Sequence, residues 1–164
     1  MHEWLGKLGM EEAEPTTLDL QDVNMVELAE TCIEPKLVSV RDHWDWIKDG
    51  VEEVLTYANQ KYRPEDVYTY CIIGKAQLWV TNEGFVITME EKDDMALETF
   101  CYIWIAWAKE RGGALSATHQ HFFERKAKEA GYDGLKLRTN EYRIAKYVET
   151  NGWDLETIEL VRRF

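Results

Sequence analysis

The residues best placed to do chemistry lie where an aromatic, apolar run ends. Trp104-Ile105-Ala106-Trp107-Ala108 leads into Lys109-Glu110-Arg111-Gly112-Gly113-Ala114, and helical residues follow. A strand that turns through small residues into a helix can cradle a phosphate, because the helix-terminal N–H groups lack partners and the dipole favours an anion. The same residues can also make a plain tight corner in a core. Both readings are open at this level. Two other groups offer chemistry and are set aside. His119 and His121 could ligate a metal, but positions i and i+2 diverge on a helix and no HExxH frame surrounds them. Cys32, Cys71 and Cys101 show no paired metal-ligand spacing and read as reduced, buried thiols.

The elements that must position this turn can be read from periodicity. Lys36–Val40 reads as a first strand, and Asp42 is placed to cap a helix running to about Ala58, with Trp46, Ile47, Val51, Val54 and Leu55 on its apolar side. Pro64 opens a second helix that Gly74 ends. "AQLWV" and "GFVITMEE" flank Thr81-Asn82-Glu83-Gly84, predicting a hairpin with Gly84 in a difficult backbone conformation. After an acidic turn, "LETFCYIWIAWA" is apolar on both alternating faces, as expected of a central strand covered on both sides. Trp104 and Trp107, on opposite parities, should then face opposite layers. A helix from about Leu115 to Ala130, a short strand "GLKLRT", a helix from Tyr142 to Glu149 and a terminal strand in "WDLETIELVRRF" complete the order β-α-α-β-β-β-α-β-α-β. The fold class is α+β, an α/β sandwich.

Length and charge bound what this fold can do. At 164 residues the chain suits one domain, 34–164, preceded by an acidic extension, 1–33. A formal net charge of −12 argues against direct nucleic-acid or anionic-membrane binding. Charge is uneven, however: residues 1–34 carry nine acidic groups against Lys7, whereas Lys109 to Lys146 leans basic. Trp4, beside Leu5 and Leu8 in the acidic extension, could anchor a partner or fold back on the domain. No secretory signal or membrane-length apolar run is visible.

The element order over Lys36 to Phe164 resembles the GCN5-related N-acetyltransferase fold, with a mixed, mostly antiparallel central sheet and helices on both faces. In that family the turn after the fourth strand typically reads Gln/Arg-x-x-Gly-x-Gly/Ala and holds the pyrophosphate of acetyl-coenzyme A. The resemblance puts Lys109 where Gln or Arg usually stands and Gly112 and Ala114 at the small positions. Lys109, Arg111, Gly112, Gly113, Ala114 and Leu115 are therefore the implied cofactor residues. The family's usual general acid is a tyrosine four residues before a glycine; counting back from Gly152 reaches Val148, with Tyr147 rotated about 100° away. Glu98 is the best-placed carboxylate for a general base, ahead of Glu83 and Glu90. No metal is implied.

From "GKAQLWV" through "VETNGW" the chain also resembles small acetyltransferase-like proteins of tailed bacteriophages, some of them associated with internal virion components. That resemblance implies an accessory protein that binds no cofactor and acts through contacts with a virion or host protein, in the host cytoplasm or within the virion. Self-association is open as well. The alternative is an acetyl-coenzyme A-dependent N-acetyltransferase acting on an unidentified amine; mimicry of nucleic acid by the acidic surface is a third reading.

Overall fold

A computed structural model describes residues 34–110, 115–140 and 142–164. The acidic extension 1–33, Trp4 included, lies outside the described residues. So does Cys32.

The elements run β1 (Lys36–Val38), α1 (Val40–Tyr57), α2 (Pro64–Ile72), β2 (Ala76–Val80), β3 (Gly84–Asp93), β4 (Glu98–Ala108), α3 (Leu115–Glu129), β5 (Gly134–Leu137) and α4 (Tyr142–Thr150). They form one five-stranded sheet in the order β1-β2-β3-β4-β5, antiparallel except for the parallel β4–β5 pair. Helices cover both faces. α1 and α2 pack Ile47, Val51, Val54 and Val67 against Leu78, Phe85, Ile87 and Ile105. On the other face, α3 and α4 pack Phe122, Phe123, Ala127 and Val148 against Val86, Cys101, Ile103 and Ala106. This is the α+β sandwich expected from the sequence.

Local chemistry accounts for most element ends. Pro64 occupies the first turn of α2, and the Asp66 carboxylate accepts from Arg63 N–H at 2.8 Å, satisfying a helix-terminal donor. α3 closes at Gly131, whose φ of +77° permits the Tyr132 N–H to return to the Ala127 carbonyl at 2.9 Å. Asp93 accepts from the N–H groups of Met95 and Ala96 and so shapes the β3–β4 turn.

Four expectations are corrected. Ser39, not Asp42, stands at the N-cap of α1, and Asp42 falls within the first turn, where a carboxylate still suits the dipole. Gly84 has no left-handed backbone; it is required by close approach, since an added Cβ would lie 2.0 Å from the Trp107 carbonyl oxygen. Thr81 shapes that turn instead, its hydroxyl accepting from Glu83 N–H at 3.1 Å and Gly84 N–H at 3.0 Å. Residues 153–164 form no strand. A strand exists only through its pairing, and this segment meets no strand edge among the described residues.

The fourth correction concerns β4. Ile87 pairs with Ile105 but Thr88 pairs with Ile103, so Trp104 is an extra residue, a β-bulge. The bulge resets the alternation: Cys101, Ile103, Ala106 and Ala108 face α3 and α4, while Trp104 and Ile105 face α1 and α2. Trp107 directs its indole N–H to Glu53 on α1. Both indoles therefore reach the α1–α2 layer, contrary to a simple parity count, although Trp107 also touches the α3–α4 core.

Gly84→Ala forces a methyl group into the β4 backbone and should cost about 2–3 kcal/mol. Urea unfolding of the variant against the parent protein measures this; an unchanged midpoint would contradict the close approach.

Candidate functional site

The geometry that matters follows from where β5 stops. Asp133 and Thr99 clamp the start of β5 to the start of β4, with Asp133 N–H donating to the Thr99 carbonyl at 2.8 Å and Thr99 N–H donating to the Asp133 carboxylate at 2.8 Å. Pairing then runs from Phe100–Gly134 to Ile103–Leu137 and ends, while β4 continues to Ala108. Beyond the bulge, β4 is bonded to β3 on one side, and its other edge meets no strand among the described residues. Backbone donors and acceptors on that edge are not taken up by a strand among the described residues.

The far end of this edge is held firmly. Lys109 N–H donates to the Glu83 carbonyl at 2.8 Å, tying the start of the turn to the β2–β3 hairpin. Phe85 stacks on Trp107 at 5.6 Å between ring centroids, and Trp46 meets Phe85 edge-on at 5.9 Å. The exposed Lys109 ammonium sits 5.7 Å from the Trp46 ring centroid, so a cation stands at the mouth of the turn. Trp107 donates to Glu53 Oε2 at 2.7 Å.

A second wall rises over the bulge on the α1–α2 side. Trp104 donates its indole N–H to the Tyr62 hydroxyl at 2.8 Å, and Tyr70 packs on Trp104 at 5.5 Å. Burial raises the pKa of Tyr62, which keeps its proton. Next to this wall Arg138 lies over Tyr102 at 4.6 Å and pairs with Glu91 at 2.8 Å, with Lys136 also on Glu91 at 3.4 Å. An aromatic surface with a protonated phenol and a cation-balanced carboxylate thus flanks the open edge.

The residues singled out in the sequence are distributed unevenly. Arg111, Gly112, Gly113 and Ala114 lie outside the described residues, between Glu110 and the first residue of α3, Leu115. Lys109 stands at the turn. Glu98 does not: it starts β4 opposite Asp93, exposed, roughly 33 Å of strand from Ala108. Glu83 contributes its backbone to the turn, and Glu90 is occupied by Lys92 and Tyr132, which lower its pKa. Val148 is buried in the core beneath α3, and Tyr147 is half-buried beside it. His119 and His121 diverge as the helix dictates, His119 into the core and His121 outward to Glu124 at 3.2 Å. Burial pushes the thiols of Cys71 and Cys101 to about 11, so neither is a thiolate at neutral pH. Tyr62 and Glu53 were not singled out in the sequence. Each meets its tryptophan across more than forty residues of chain, a separation that no local spacing signals.

No family model and no curated protein matches the sequence. Solved structures do match the fold. A probable acetyltransferase superposes with a TM-score of 0.62 at 12% identity, covering 80% of this chain and 99% of its own. A ribosomal-protein-alanine N-acetyltransferase from Brucella melitensis gives 0.59 at 15% identity, covering 80% and 100%. An integron cassette protein from V. cholerae gives 0.57 at 15%, covering 82% and 93%. At such identities the likeness shows the fold, which is GNAT-like, and leaves activity to the site. Nothing in these matches points to a phage origin. Among the described residues no helix is long and apolar enough to cross a membrane.

Burial lowers the pKa of His119 from 6.5 to about 4. The unfolded chain therefore binds this proton first. The contribution is complete above about pH 6.5 and lost as pH falls toward 4, by an amount on the order of 2–3 kcal/mol. Unfolding free energies measured between those pH values should show this slope, and His119→Gln should flatten it.

Proposed function

We propose that the protein is an acetyl-coenzyme A-dependent N-acetyltransferase. The observation that carries this reading is the open edge of β4, which outruns β5 by the five residues Trp104–Ala108 and leads straight into the turn before α3. The solved acetyltransferases that share the fold support the same choice over a purely structural role.

The residues fit the cofactor. Lys109 and the backbone from Arg111 to Leu115 would hold its pyrophosphate, a helix N-terminus and a cation being suited to that charge. N–H and C=O groups on the β4 edge beyond the last β5 pair would match the amides of its extended arm, in the way an edge strand accepts a peptide. When bound, acetyl-coenzyme A supplies an acyl carbon activated as a thioester. The chain's part is to orient and to polarise. A backbone N–H near the bulge can donate to the acyl oxygen as negative charge grows there. The aromatic wall of Trp104, Tyr62 and Tyr70 excludes water from the face over which an amine would approach. Tyr62, protonated and beside the bulge, is the best-placed described hydroxyl to give a proton to a departing thiolate, a role that Val148 cannot fill. An amine that arrives neutral needs no strong base, which agrees with the distance of Glu98 from the turn.

Calorimetry with acetyl-coenzyme A tests the proposal. Micromolar binding is expected, with loss of binding in Gly112→Trp, whose indole would fill the turn. A folded protein that shows no binding at millimolar cofactor overturns it.

A further inference from the structure

The surface beside the bulge on the α1–α2 side is aromatic and gathers cations. Trp104 meets Tyr62 and Tyr70 at 5.8 Å and 5.5 Å between ring centroids, and Tyr70 is 37% exposed. Tyr102 extends this surface. It pairs with Met89, which packs on the α1–α2 core, and it is close enough to Tyr62 to add, after burial, to the rise in that phenol's pKa. Lys136 pairs with Tyr102 across the β4–β5 ladder, lies 4.2 Å from the Phe100 centroid and reaches Glu91 at 3.4 Å. Arg138, two residues on, lies 4.6 Å from the Tyr102 centroid and bonds both oxygens of Glu91, at 2.9 Å and 2.8 Å. Two cations thus share one carboxylate, leaving a surplus positive charge. Lys75, 5.4 Å from the Tyr70 centroid, adds another.

We propose, on the N-acetyltransferase reading above, that the acceptor is a small amine carrying an aromatic ring and a carboxylate. Its ring lies on Trp104 and Tyr70, and its carboxylate meets Arg138. Glu91 engages the guanidinium through Nη2 alone, and the Arg138 side chain is 57% exposed, so the fork keeps N–H groups for a second carboxylate. Flat rings suit an aromatic surface of this kind. Trp104 is the first β4 residue beyond the last β5 pair, so a ring seated there sets its amine beside the open edge. The net charge of −12 would by itself favour a basic peptide. The cations gathered at this surface disfavour one, and at contact distance the local charges decide.

Calorimetry with phenylalanine, phenethylamine and alanine, each with and without coenzyme A, tests the class. Phenylalanine should bind about tenfold or more tighter than phenethylamine, which lacks the carboxylate, and than alanine, which lacks the ring. Arg138→Gln should abolish the preference over phenethylamine. Glu91→Gln, which removes the competing carboxylate, should tighten phenylalanine binding, an effect that a merely structural Arg138 would not produce. Tyr70→Ala should weaken phenylalanine and phenethylamine alike. Equal affinity for those two amines, a preference that survives Arg138→Gln, or no phenylalanine binding under either condition overturns the proposal. The two readings fail separately. Acetyl-coenzyme A binding without this selectivity overturns the acceptor class alone, whereas selectivity without cofactor binding overturns the enzyme reading and upholds the ring-and-carboxylate site.

Discussion

One extra residue in β4 sets the layout of the molecule. Because Trp104 has no partner opposite it on β3, the strand changes phase at its middle. The first half gives Cys101 and Ile103 to the α3–α4 layer, and the second half gives Ala106 and Ala108 to that same layer. The displaced Trp104 and the following Ile105 both turn to α1 and α2. A bulge strengthens the local twist and re-aims side chains; here it lies one residue past the last β4–β5 pair. The phase change and the end of pairing coincide, and together they make the open edge.

The rest of the structure holds that edge in place. The Asp133–Thr99 clamp fixes β5 against the first half of β4 only. The hairpin at Thr81–Gly84 closes against Trp107 and Lys109, so tightly that no Cβ is tolerated at Gly84. Gly50 plays the same part on α1, where a Cβ would come within 2.8 Å of Phe85 and 2.9 Å of Trp107. The second half of β4 is thus gripped on its β3 side and by the helices above it. Its remaining edge needs no strand partner to hold it, because the strand's position is already determined, and such an edge is how a sheet can offer backbone to a ligand.

The two tryptophans of that strand illustrate why polar handles matter in such a core. Trp104 and Trp107 each bury a large apolar body, and each places its N–H on a named oxygen, Tyr62 and Glu53. These bonds orient the rings and bring a phenol and a carboxylate to the site from α1 and the loop that follows it. The 153–164 segment is the counterpart: past Trp153, whose two N–H groups reach Val148 and Gln120, it has the pattern of a strand but meets no strand edge among the described residues.

Periodicity alone determined the element order as far as α4, the two-layer cover of β4 and the β2–β3 hairpin. These depend on contacts within a few residues, and on the burial of alternate faces that hydrophobic pattern encodes directly. The same spacing placed His119 and His121 on different faces and Val148 away from any acid role. Tertiary structure decided the rest. A one-residue bulge leaves no mark on composition, yet it moved Trp104 to the same layer as Trp107. Glu98 was the best-placed carboxylate by its position at the start of the central strand, but an extended strand carries its two ends far apart. The open edge, Tyr62 and Glu53 follow from which strands stop where and which helices cross them. Pairings across forty or more residues are set by the packing of the whole sheet, and no local pattern of residues contains them.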